Sequence, residues 1–168
     1  MLNKINKLSE TEFIEVFGNI FENASWIAKK LYVKKPFRNF LDLTKKMISV
    51  FEDADDQSKL KILRSHPDLA DKTKIGTLTP DSNKEQNSAG LDQCTEEEFN
   101  EFKNLNNEYK SKFGFPFILA VKGKNKLEIL DNFKRRILSD KEVEFNEAIK
   151  QVKEIANLRL DELKNKFT

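Results

Sequence analysis

The sequence predicts an all-α fold, a single-domain irregular helical bundle over residues 1–168. Three observations carry this. Apolar residues recur at three- and four-residue spacing through most of the chain. Ser or Thr followed three residues later by Glu stands at the head of several of these runs, the mark of a helix N-terminus. No convincing pair of alternating, period-two segments appears. A length of 168 residues suits one domain and can bury a core without disulfides or metals.

Ser9 and Glu12 in SETEF form a capping box, and Phe13, Val16, Phe17, Ile20 and Phe21 follow as a helical stripe. A second helix carries Trp26, Ile27 and Leu31 and ends before Pro36. A third runs from about Arg38 to Glu52 with Phe40, Leu43, Met47, Val50 and Phe51 on one face. A fourth begins near Asp55 or Asp56, carries Leu60 and Leu63, and stops near His66, because Pro67 disfavours a helical backbone in the residue before it.

Residues 67–94 read as a long functional loop segment. Of five glycines and four prolines in the chain, Pro67, Gly76, Pro80 and Gly90 fall here. A long irregular stretch inside a compact domain is usually functional or mobile. Within it, Ser82 and Glu85 have the spacing of a capping box that opens a short helix. Helix returns at TEEEF, where Thr95 and Glu98 form another box ahead of Phe99, Phe102, Leu105 and Tyr109. FGFPFILAV, residues 113–121, reads as extended, because of Pro116 and the β-branched residues. A helix over about Lys126 to Leu138 follows. SDKE, with Ser139 and Glu142 as its box, opens a last helix carrying Val143, Ala148, Ile149, Val152, Ile155, Ala156 and Leu160.

Lys+Arg number 30 and Asp+Glu 28, a net charge of +2, which gives no footprint for nucleic acid. The longest apolar run is far shorter than the about 20 residues that span a bilayer, so no membrane partner is expected. The first residues lack the apolar core of a secretory signal, and NKFT is not a peroxisomal tripeptide. The single cysteine, Cys94, excludes a disulfide within the chain and fits a reducing compartment. These features point to a cytoplasmic protein. One Cys and one His make a metal site unexpected.

His66, the one histidine, has an ordinary pKa suited to proton transfer near neutrality. On the residues alone it reads equally as a helix end, where an imidazolium would favour the negative end of the dipole. Ser82, Glu85 and Gln86 are candidates for a polar pocket wall, with the cap as the plainer reading of the first two. FGFPF offers backbone N–H groups to a carbonyl or carboxylate, or else plugs the core with rings. Arg159 stands amid Ile155, Ala156, Leu158 and Leu160, where a guanidinium can bind a substrate carboxylate, pair with a neighbouring acid, or reach for solvent. Cys94 has no cation near it in sequence to lower its pKa and reads as structural or incidental.

HPDLA (66–70), SNKEQNSAGL (82–91), NNEYKSKFGFPFILAVKG (106–123), FKRRI (133–137) and a final helix ending in ANLRL (156–160) occur in that order. Together they closely resemble the OHCU decarboxylase family of urate degradation, over nearly the whole chain. The resemblance implies an all-α, cofactor-independent carboxy-lyase, for which a homodimer is one known assembly. The implied reaction turns 2-oxo-4-hydroxy-4-carboxy-5-ureidoimidazoline into (S)-allantoin. It implies His66 as catalytic acid/base with Glu85 beside it, and Ser82 and Gln86 lining the site. By the same resemblance, Pro67 is expected to orient the histidine, the backbone of Phe117, Ile118 and Leu119 to bond the substrate ring, and Arg159 to bind substrate. The chain departs from the family at Asp71, where a small residue is common, and Lys72 and Lys74 look like drift. The competing expectations are a non-enzymatic helical binding protein of the same fold, or a decarboxylase of a related ureido or imidazoline acid.

Overall fold

Helix accounts for most of the chain, and the computed structural model describes residues 1–71 and 78–167. Lys72, Lys74 and Gly76 lie outside the described residues. Among the latter there are nine α-helices, one turn of 3-10 helix and no strand. They fall into two compact units, Met1–Ile62 with Lys153–Thr168, and Leu63–Val152.

The first unit holds α1 (Leu2–Lys7), α2 (Glu10–Phe17), α3 (Ser25–Tyr32), α4 (Phe40–Glu52), most of α5 (Asp56–Ser65) and the C-terminal part of α9 (Lys141–Phe167). The Ser9 hydroxyl accepts from Glu12 N–H and Glu12 returns the bond to Ser9 N–H, so the expected capping box forms. Short α1, which the sequence does not announce, is fixed from its side chain. Asn6 donates to the Phe37 carbonyl and accepts from the Phe37 N–H, at 3.0 and 2.9 Å. Phe13 packs on Phe17, Tyr32 and Phe37, and Phe21 on Phe51, so phenyl rings fill this core as α2 packs on α3 and α3 on α4. Asn39 caps α4 through Asp42 N–H, placing its start two residues after the expected one.

The second unit holds α6 (Pro80–Ser88), a 3-10 turn at Leu91–Gln93, α7 (Glu96–Phe113), the non-helical segment 114–121, α8 (Lys126–Arg136) and the first part of α9. Its centre is Tyr109, fully buried and ringed by Phe113, Phe115, Phe117 and Phe133. Thr95 and Glu98 form the expected box on α7. Gly114 ends that helix in the left-handed region, φ 80°, where a side chain would be strained.

Residues 67–94 break the helical rhythm, and the short helix expected within them is α6, followed by the 3-10 turn. Two local expectations need correction. The cap of α6 is Thr79, whose hydroxyl accepts from Ser82 N–H, with Pro80 at the first helical position; Ser82 and Glu85 sit inside the helix and form no box. At α9 the cap is Asp140, which accepts from Val143 N–H, because Asp140 immediately precedes the first helical residue and Ser139 stands one residue further out; Val143 itself faces outward.

Candidate active site

His66 lies one residue past the end of α5. Its N–H closes the last turn on the Leu63 carbonyl at 3.2 Å, and Pro67 stops the helix from going on. The imidazole is 9% exposed, so the only titratable ring of its kind in the chain is largely removed from water.

The loop that follows is held at several points. Ala70 adopts φ 53°, an uncommon backbone for a residue with a side chain, which must be imposed by its surroundings. Gln86 imposes it: its Oε1 accepts from Ala70 N–H at 3.0 Å and its Nε2 donates to the Asp68 carbonyl at 3.1 Å. Asn106 donates to the Leu69 carbonyl at 2.9 Å, and the Lys110 ammonium meets the Asp68 carboxylate at 2.7 Å. Ser82, Glu85 and Gln86 are three and four residues apart and share a helix face. Ser82 and Gln86 are buried and Glu85 is half-buried. The bonds of Gln86 therefore turn this face of α6 toward the loop after His66.

FGFPF is tied to the same region. Arg64, two residues before His66, donates from Nε to the Gly114 carbonyl at 3.0 Å. Phe117, Ile118 and Leu119 have buried side chains. Their backbone is pinned on both sides: Arg136 Nη1 donates to the Ile118 carbonyl at 2.6 Å, and Gln151 Oε1 accepts from Ala120 N–H at 2.9 Å. A cavity of about 300 Å³ adjoins the loop, walled by Asp68, Ala70 and Asp71 and by Phe99, Lys103 and Asn106 of α7. Its walls are those of the loop clamp; none of the expected site residues lines it.

Arg159 belongs to the first unit. It is 7% exposed, and its Nη1 donates to Glu22 at 2.9 Å and to the carbonyls of Asn19 and Ile20 at 3.3 and 3.2 Å. Of the alternatives for this residue, pairing with an acid is met within its own unit. Sequence reasoning missed Asn106, Lys110, Arg136, Glu144 and Gln151. The available signal was position: Glu144 and Gln151 fall on the same stripe as Ala148 and Ile155, polar residues on an apolar face.

Comparison with known proteins completes this geometry. The family model described as OHCU decarboxylase matches residues 6–161. The chain belongs to the OHCU decarboxylase family. It is 37% identical, over 96% of its length and 94% of the relative, to the 2-oxo-4-hydroxy-4-carboxy-5-ureidoimidazoline decarboxylase of Haloferax volcanii. It is 41% identical to the uric acid degradation bifunctional protein of Bacillus sp. (strain TB-90), covering 96% of this chain but spanning only 32% of that relative. The crystal structure of an (S)-allantoin synthase superposes with a TM-score of 0.78 at 26% identity, over 97% of this chain and 54% of that one. OHCU decarboxylase architecture is thus all-α here as well. No helix among the described residues is long and apolar enough to cross a membrane, and among them no three His, Cys, Asp or Glu side chains gather as a metal would require.

Proposed function

We propose that this chain converts 2-oxo-4-hydroxy-4-carboxy-5-ureidoimidazoline to (S)-allantoin without a cofactor, as a cytoplasmic carboxy-lyase of urate breakdown. In this proposal residues 1–168 act as one OHCU decarboxylase-like domain. The observation that carries it is His66, a buried imidazole at a helix end, followed by a loop that Gln86, Asn106 and Lys110 hold in one shape.

The substrate carboxylate sits one carbon from a C=N bond. When the C–CO2 bond breaks, its electron pair forms a C=C bond and the imine nitrogen takes up the displaced pair with a proton. The hydroxyl then gives up its proton, the carbonyl forms, and carbon receives a proton on one face. The substrate supplies its own electron sink, so the protein's work is positioning and directed proton transfer. We assign the proton transfers to His66 and Glu85, with Pro67 and Ser82 shaping their surroundings. Gln86 fixes the loop and offers its second amide N–H to substrate. The backbone of Phe117, Ile118 and Leu119 receives the ring amides. Arg159 is assigned to substrate on the family likeness, as an anchor for polar groups; a tight ion pair with the leaving carboxylate would stabilise the ground state and slow its loss.

The substrate is unstable, so it is made in situ from urate by enzymes of the preceding steps, and chirality is followed by circular dichroism. Wild type should produce (S)-allantoin well ahead of the spontaneous racemic product. His66→Asn should keep the helical spectrum yet lose about 100-fold or more of the turnover. An active His66→Asn enzyme would remove the histidine from the mechanism, and a wild type that gives only racemate would favour a related ureido or imidazoline acid as substrate. Light scattering tests the homodimer that the family allows.

A further inference from the structure

We infer that Arg136 is a positioning residue that sets the Phe117–Leu119 backbone for substrate, held in place by Glu144 and Tyr109. This rests on the reading above that the backbone of these residues binds the substrate ring.

Arg136 is in the last turn of α8 and is 6% exposed. An arginine there would ordinarily turn outward, as exposed Arg135 does beside it, bonded to Asn132. Arg136 instead donates from Nε to Glu144 Oε1 at 2.8 Å, with Nη2 2.5 Å from the same oxygen. That oxygen also accepts the Tyr109 hydroxyl. Glu144 is 1% exposed, so two charges and a phenol are withdrawn from water together. Burial, followed by the neighbouring carboxylate, pushes the Tyr109 hydroxyl well above its ordinary range, so it stays a donor.

The one guanidinium arm that leaves this cluster goes to the 117–119 segment. Nη1 donates to the Ile118 carbonyl at 2.6 Å, and the guanidinium carbon lies 4.5 Å from the centre of the Phe117 ring, which stacks on Phe133 at 3.9 Å. Arg136 thus grips both the main chain at Ile118 and the side chain at Phe117. An ion pair buried this deeply is often no more stabilising than apolar residues of the same size. Its geometry is better accounted for by orientation: with the Ile118 carbonyl turned to Arg136, the plane of the adjoining peptide is set, and with it the direction of its N–H. Gln151 sets the next peptide through Ala120 N–H.

Arg136→Lys keeps the charge but cannot hold Glu144 and the Ile118 carbonyl from separate guanidinium atoms. Tyr109→Phe keeps the ring packing and strips one donor from Glu144, which provides a second, milder variant. Both are measured beside wild type and the surface control Arg135→Ala, with KM and kcat taken separately at a temperature where circular dichroism shows each protein folded. The expected result is a KM raised ten-fold or more in Arg136→Lys, a smaller rise in Tyr109→Phe, kcat changed less than KM, and no change in Arg135→Ala. Loss of a binding contact shared by ground and transition states has that signature. If the two variants melt earlier but keep wild-type KM and kcat, Arg136 is structural only and the inference fails while the proposed activity stands. If wild type itself makes no (S)-allantoin, the reading beneath the inference fails first.

Discussion

At the scale of single residues, the catalytic candidate is defined by what surrounds it. His66 alone could be a helix terminator, and the structure keeps that role: Pro67 ends α5 and the ring is left near the helix end with 9% exposure. The two readings of the sequence describe one arrangement. Gln86 is different. Its candidacy came with Ser82 and Glu85 from a motif, yet its amide is committed to main-chain atoms on either side of Leu69. Gln86→Leu should leave a buried N–H and a buried carbonyl without this partner, which costs about 1–3 kcal/mol for each group. Urea denaturation would show the loss, and turnover should fall beyond what the unfolded fraction explains. Unchanged stability would mean that the left-handed Ala70 does not depend on this amide. Asn106 and Lys110 were not legible because nothing in NNEYK separates a solvated helix face from one that grips a loop 37 or 42 residues earlier in the chain.

At the scale of elements, helix starts were legible where the cap and its partner are three residues apart and local. Ser9 with Glu12 and Thr95 with Glu98 form as the spacing says. The same spacing misled at Ser82 and Ser139, because Thr79, three residues before Ser82, and Asp140, one residue after Ser139, hold the cap positions next to the first free N–H groups. Helix α4 shows the electrostatic side of a start. Asp42 accepts from Arg38 N–H and from the Arg38 guanidinium, and Lys46 lies 3.1 Å away. The Arg38 N–H first, then the Arg38 and Lys46 side chains, hold its carboxyl far below the usual carboxylate range. A depressed folded-state pKa contributes stability above the unfolded value, and that contribution is lost as the pH falls toward the folded one. Asp42→Asn should therefore melt below wild type at neutral pH. The gap should shrink once the pH drops under 3.8, the ordinary value for this group. A gap that persists in strong acid would assign the effect to packing instead of charge.

At the scale of the whole molecule, the all-α class followed from periodicity and the absence of strand pairs, and most core positions from the apolar stripes. The long-range polar contacts were not legible, because a charged residue on an apolar face names no partner. Arg159 is the clearest case: Glu22, its counter-ion, stands in a turn segment between α2 and α3, where the expected stripe of Ile20 and Phe21 runs on past the end of α2 at Phe17. Both side chains are almost wholly buried. Glu22→Gln should strand the guanidinium and cost about 3–5 kcal/mol, read by denaturant unfolding; a negligible loss would mean that the arginine finds another acid.

This pairing also sets an order in time. The first unit is made of two stretches separated in sequence, Met1–Ile62 and Lys153–Thr168, while Leu63–Val152 is one unbroken stretch. Glu22 and Arg159 are 137 residues apart. At about 5–20 residues per second of synthesis, Glu22 leaves the ribosome on the order of ten seconds before its counter-ion exists. During that interval the carboxylate is better kept in water than buried, so the segment around Glu22 should be among the last to close.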